Sequence, residues 1–269
     1  MSGANVLRDG GSANSCVQRL EAARARVASI DGTAAYDEFV AFVRGETPWR
    51  FKGAPELDRY LHSVRHHLDH FVPRLLASLH GGVQTVFDFG CGSGGGSVAM
   101  ALLFPEARFH GVDISAHEVA IGCARARLYG VEDRCTFEVI EAGSPFPAEN
   151  DAYDLCTCCS VLEYVVDRDT RRFCVQEMGR VLSDQGVLFM SVPNRLYPVE
   201  LHSRKPGWNY FPKLLKATSV GASAWEIRAL AHPHVLKLVR TPIHQLFTPW
   251  TNFCLQKRPN YGDFDHRPS

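Results

Sequence analysis

The sequence predicts an α/β protein built on a doubly wound, mostly parallel seven-stranded sheet, with helices ahead of it and an insertion after the fifth strand. Three observations predict it. From residue 83 onward, short apolar runs alternate with amphipathic stretches, a pattern that implies parallel strands covered by helices on both faces. Glycine stands at 90, 92 and 94–96, where the first of these strands runs into the first helix. The 269 residues, 45% hydrophobic and 22% charged, suffice to bury a core without a disulfide or metal staple.

Residues 1–15 are rich in Gly, Asn and Ser and read as a tail. Val17, Leu20, Ala23, Val27 and Ile30 recur at helical spacing and predict a helix over residues 16–30. A second helix fits residues 34–43 and stops near Gly45. A third fits residues 55–79, with Pro73 marking a break inside it and Gly81-Gly82 ending it. These helices form an N-terminal cap over residues 16–82.

The core of the protein follows over residues 83–194. Strands are expected at 83–89, 108–112, 136–140, 153–159 and 186–192. Helices are expected from the glycine cluster to residue 103, at 115–128, from near Leu162, and at 170–182. Residues 195–234, with Trp208, Tyr210, Phe211 and Trp225, read as a lid with a helix near 222–231. The last strands of the core are expected within residues 235–259, at 235–239 and 250–256. Residues 260–269 are a polar tail.

Composition excludes several classes. The chain carries 29 basic and 29 acidic residues, so it lacks the basic excess of a nucleic-acid binder. No apolar run is long enough to cross a membrane, and residues 1–15 do not form a signal peptide. The nine cysteines are odd in number and unevenly spaced, which predicts reduced thiols and a cytoplasmic setting.

The segment Val86-Phe87-Asp88-Phe89-Gly90-Cys91-Gly92-Ser93-Gly94 carries the chemistry. Glycines at a strand-to-helix turn let the backbone approach a ligand, and the helix start offers unpaired N–H groups. Gly90, Gly92 and Gly95 also satisfy the dinucleotide spacing, so an NAD-dependent oxidoreductase stays open on the loop alone. Asp88 argues the other way, because a carboxylate at the mouth of the loop repels a pyrophosphate and suits an ammonium. The second strand ends in Gly111-Val112-Asp113-Ile114-Ser115. An acid there can accept from both hydroxyls of a ribose, and it reads as a ligand-facing residue rather than a packing one. Glu141-Ala142 follows the third strand, placed to accept from an exocyclic amine. Tyr153-Asp154-Leu155 leads the fourth strand into Val161-Leu162-Glu163-Tyr164-Val165.

Together with Arg180-Val181-Leu182-Ser183-Asp184-Gln185-Gly186-Val187-Leu188, these residues resemble the class I S-adenosylmethionine-dependent methyltransferases. The likeness covers about residues 83–194 plus a final strand at 253–257. It implies a Rossmann-like methyltransferase fold and S-adenosyl-L-methionine as cofactor. It implies that Gly90, Cys91, Gly92 and Gly94 hold the methionine end, with Asp88 facing the ammonium. Asp113 would bind the ribose, with Ile114 beside it, Glu141 and Ala142 would sit by the adenine, and Cys159 would lie near the sulfonium. The chain is most similar to the small-molecule branch around the ubiquinone-pathway O-methyltransferases. There a histidine usually stands where Tyr164 stands here, which warns against importing that branch's acceptor.

The expected activity is methyl transfer to a small-molecule acceptor, on oxygen, nitrogen or carbon. A non-catalytic protein that binds the same cofactor is the other reading of the pocket. If the acceptor must lose a proton, His202, Glu200, Tyr164 and His66 are the candidate bases. Glu163 is expected to pair with a neighbour on a helix. Cys156, Cys158 and Cys159 alternate along one strand and read as small packed side chains, since no second ligand pair completes a metal site. His62, His66 and His70 share one helical face. That stripe reads as a solvated face or a pocket wall before it reads as a metal site, so no metal is expected.

Overall fold

The computed structural model describes residues 13–47, 53–79, 82–165, 167–199, 222–231, 236–240 and 248–259. Seven strands form one sheet: β1 (Thr85–Phe89), β2 (Arg108–Asp113), β3 (Cys135–Val139), β4 (Tyr153–Cys159), β5 (Leu182–Pro193), β6 (Leu236–Arg240) and β7 (Trp250–Lys257). Their order is β3-β2-β1-β4-β5-β7-β6. The chain divides into two compact units, one ending at Glu141 and the other beginning at Ala142.

In the first unit β1, β2 and β3 pair in parallel, with Asp88 opposite Gly111 and Asp113 opposite Val139. The helices α6 (Gly95–Leu103) and α7 (Ala116–Tyr129) make the crossovers. Val98, Ala99, Met100 and Ala101 of α6 are all buried, as expected of a helix that is apolar all round. Ser115 caps α7 by accepting from the Glu118 N–H.

Ahead of β1 stand α1 (Ala13–Ala28), α2 (Ala34–Glu46), α3 (Ala54–Leu61), α4 (Ser63–His66), a π-helical turn (His67–Phe71) and α5 (Val72–Leu76). The single helix expected over 55–79 is thus divided. Pro73 has no N–H to give to the carbonyl four residues back, so the strain falls upstream of it. The Val72 N–H reaches instead to the His67 carbonyl, which closes the wider π turn. Helix α1 begins inside the stretch expected to be a tail. Phe39 and Val43 of α2 pack with Leu61 and Ile121 in one buried cluster.

In the second unit β4 and β5 pair in parallel, and β7 runs antiparallel to both β5 and β6. Helix α8 (Arg168–Val181) leads directly into β5, which starts four residues earlier than the sequence suggests. The helix expected from near Leu162 is absent; residues 161–165 form a turn, with Tyr164 N–H bonded to the Val161 carbonyl. Ser160 enters that turn at φ 61°, a conformation that stops the chain from running straight from strand to helix. Helix α9 (Ala224–Leu230) carries a full capping box between Ser223 and Glu226. Most of the expected lid, residues 195–234, lies outside the described residues. All nine cysteines are free thiols.

Candidate cofactor site

The site grows from the end of β1. Gly90, Gly92 and Gly94 have φ of 70°, 50° and 72°. At Gly94 the need for glycine is double, because a Cβ there would also stand 2.8 Å from the Phe137 ring. The loop is tied to the neighbouring strand by backbone bonds from Gly90 N–H and Cys91 N–H to the Val112 carbonyl, at 2.8 and 3.0 Å. Cys91 is packed among these groups, and burial pushes its thiol far above the ordinary range.

Carboxylates ring the loop. Asp88 is buried and accepts from the Ser97 hydroxyl of α6. Asp113 accepts from Gly92 N–H with Oδ2 and from Ser115 N–H with Oδ1, each at 2.9 Å. It is therefore a structural stitch as well as a rim residue, which corrects the expectation of a purely ligand-facing acid. Glu118 is buried behind Gly92, with Oε2 4.0 Å from the point where a Cβ on Gly92 would lie. It accepts from the Tyr60 hydroxyl at 2.7 Å. Ile114, next to Asp113, exposes 65% of its surface, and Glu141 beyond β3 is exposed as well.

Arg125 binds the loop to the preceding helices. It is fully buried and donates to the Ser93 carbonyl (2.8 Å), the Leu61 carbonyl (2.9 Å) and the Tyr60 carbonyl (3.1 Å). Its guanidinium also lies over the rings of Phe39 and Tyr60. Sequence reasoning missed both Arg125 and Glu118. The available signal was their placement on the Glu118, Ile121, Gly122, Arg125 face of α7, two charges on an otherwise apolar stripe.

The histidine stripe does not act as one set. His62 lies 3.1 Å from an Asp58 carboxylate oxygen and 3.3 Å from the Tyr36 hydroxyl. His66 and His70 are exposed, with ring centroids 4.6 Å apart. Burial and the neighbouring His70 lower the His66 pKa. Among the described residues no group of three or more His, Cys, Asp or Glu is arranged to hold a metal ion. His67, outside the stripe, is packed against the glycine loop.

In the second unit Ala142 is exposed and Cys159 is half-buried at the end of β4. Cys156 and Cys158 are fully buried. Tyr164 exposes 57% of its surface in the turn that follows. Glu163 has none exposed, and neither of its carboxylate oxygens has a hydrogen-bond partner. The expected helical pairing of Glu163 is therefore not made. Burial raises its pKa to about 7, opposed by the charge of Arg171. Glu200 and His202 lie outside the described residues.

The loop, its acids and their sheet coincide with a family match. Residues 82–226, more than half of the chain, match the family described as a methyltransferase domain. The chain belongs to this methyltransferase family. A ubiquinone biosynthesis O-methyltransferase from Thiobacillus denitrificans is 33% identical over 112 residues, which is 42% of this chain and 45% of that protein. A protein of the same name from Hydrogenovibrio crunogenus is 26% identical over 114 residues, 42% of this chain and 44% of that one. The chain thus matches a little under half the length of these relatives. Among solved structures, a protein from Pyrococcus horikoshii superposes with TM-score 0.56 at 16% identity, covering 72% of this chain and 91% of that one. The [4+2]-cyclase SpnF superposes with TM-score 0.54 at 17% identity, covering 72% of this chain and 82% of its own. These likenesses establish a shared fold for the methyltransferase domain. No helix among the described residues is long and apolar enough to cross a membrane.

Proposed function

We propose that this methyltransferase moves the methyl group of S-adenosyl-L-methionine to a small-molecule acceptor. The observation that carries the reading is the ring of Asp88, Asp113 and Glu118 around a glycine loop. Three carboxylates at that loop oppose the two negative charges of a nicotinamide cofactor's pyrophosphate and favour a ligand with a cationic amino-acid end. At Gly92 the nearest atom to a would-be Cβ is a Glu118 oxygen 4.0 Å away, so the loop backbone there is open, which suits a ligand held close to it. Fold alone does not name the reaction, since a cyclase shares it.

The cofactor supplies a methyl group already activated on a sulfonium. Gly90, Cys91, Gly92 and Gly94 hold the amino-acid end, with Asp88 turned to its ammonium. Asp113 keeps lone pairs beyond its two backbone bonds and uses them for the ribose hydroxyls. Ile114 offers an exposed apolar side chain to the adenine, with Glu141 beyond β3 accepting from its amine. Ala142 and Cys159 keep the adenine-side and sulfonium-side roles that the family resemblance implies. Alignment of donor and acceptor supplies much of the rate in such a displacement. For an acceptor that must lose a proton, the candidate bases are Tyr164, His66, Glu200 and His202. The relatives' name supports a small metabolite as acceptor.

The test incubates the protein with isotopically methyl-labelled S-adenosylmethionine and a panel of small metabolites, read by mass spectrometry. A labelled product together with S-adenosylhomocysteine supports the reading. Cofactor binding with no product from any extract or panel would favour the non-catalytic alternative.

A further inference from the structure

The π-helical turn does more than absorb Pro73. It lies where the N-terminal helices cross the first turn of α6. A Cβ on Gly95 would stand 2.3 Å from the Ser63 hydroxyl oxygen and 3.3 Å from His67 Nδ1. A Cβ on Gly96 would stand 3.6 Å from His67 Nε2 and 3.9 Å from Asp88 Oδ2. Ser63 and His67 therefore pack directly on the first turn of α6, which has room for them because residues 95 and 96 are glycine, and Asp88 lies beside Gly96.

Two of these groups have hydrogen-bonding capacity to spare. The Ser63 Oγ is shielded from solvent and has no hydrogen-bond partner. His67 Nδ1 lies 2.6 Å from the Ser63 carbonyl, which only accepts, so Nδ1 carries the hydrogen. The lone pair is then on Nε2, the atom nearer Gly96, and Nε2 has no partner among the described residues. Burial holds the ring neutral, with its pKa pushed down to about 4. One unused hydroxyl and one unused imidazole lone pair thus stand at this helix start, the imidazole on the side of Asp88.

An α-amino acid end has the matching groups, an ammonium that donates and a carboxylate that accepts. Resting on the cofactor reading above, we propose that Ser63 and His67 hold the amino-acid end of S-adenosylmethionine, His67 Nε2 accepting from the ammonium and the Ser63 hydroxyl donating to the carboxylate. Both act as positioning residues on the preceding helices, in addition to the loop. A neutral ring is required for this, because an imidazolium would repel the ammonium.

The test is isothermal titration of the full chain with two probes, S-adenosylhomocysteine and 5′-methylthioadenosine, which lacks the amino-acid end. His67→Phe keeps a ring and removes the lone pair. It should weaken S-adenosylhomocysteine by about 10-fold or more and leave methylthioadenosine within about 2-fold. Ser63→Ala should act the same way with a smaller loss, and His67→Gln, which restores an acceptor, should recover part of it. Circular dichroism and thermal melting confirm that each variant is folded. If His67→Phe does not fold, Ser63→Ala carries the test alone. Equal weakening of both probes, or unchanged discrimination between them in folded variants, overturns this assignment only. Failure of the unsubstituted protein to bind S-adenosylhomocysteine overturns the cofactor reading along with it.

Discussion

Glu163→Gln should stabilise the protein by an amount that grows as pH rises from below 4.5 to above 7. The side chain is fully buried, neither oxygen has a hydrogen-bond partner, and Arg171 influences it only electrostatically. Burial raises its pKa from 4.5 to about 7. The folded protein therefore holds a proton that the unfolded chain releases between those values. The favourable protonated form is fully kept below pH 4.5. As pH rises above that, stability falls by about 1.4 kcal/mol per pH unit until the folded carboxyl ionises near pH 7, and then levels off. Two and a half units correspond to a loss of about 3 kcal/mol. Glutamine keeps the size of the protonated acid and does not ionise. The variant should match the parent at pH 4 and exceed it at pH 8 by up to about 3 kcal/mol, or roughly 6–12 °C in Tm. Urea unfolding of both proteins at pH 4, 5, 6, 7 and 8 measures the difference, and the other titrating groups cancel in it. A difference independent of pH, or a parent more stable at pH 8, would refute the reasoning.

Asp113→Ala removes the acceptor of two backbone N–H groups as well as the proposed ribose ligand. It should weaken S-adenosylhomocysteine at least about 10-fold by titration and lower Tm as well, because a bond to a charged group contributes about 1.5–3 kcal/mol. Arg125→Met strips the donors from the Ser93, Leu61 and Tyr60 carbonyls. A destabilisation of about 3–5 kcal/mol is expected in urea unfolding, by analogy with breaking other buried charge interactions. Gly95→Ala places a methyl group against the Ser63 hydroxyl. Overpacking of this kind costs about 1–3 kcal/mol, so Tm should fall, and cofactor affinity should fall with it.

The parts of the fold that follow from periodicity were legible in the sequence. The β1–glycine–α6–β2 passage shows because a strand-period run, a glycine cluster and an apolar helix follow one another within twenty residues. Pro73 announced a break, but the break lies upstream, since the hydrogen bond it removes belongs to the carbonyl of Asp69. Residues 161–165 misled because a short apolar run has the same appearance in a turn as in a first helical turn, and the positive φ of Ser160 leaves no compositional trace. The acids of the loop were legible at Asp88 and Asp113 from their places at strand ends. Glu118, Arg125 and Glu163 were not, because burial of a charge depends on what packs over it from elsewhere in the chain. His67 was hidden in the same way. It was one histidine among several until the π turn set it against Gly95 and Gly96.

The central claim is that the acid-ringed glycine loop selects a sulfonium cofactor. Isothermal titration of the unsubstituted protein with S-adenosylhomocysteine and with NAD, under the same conditions, tests it most directly. Saturable one-to-one binding of S-adenosylhomocysteine, lost in Asp88→Ala, with no heat from NAD, is the predicted result. Tight binding of NAD with none of S-adenosylhomocysteine would contradict it.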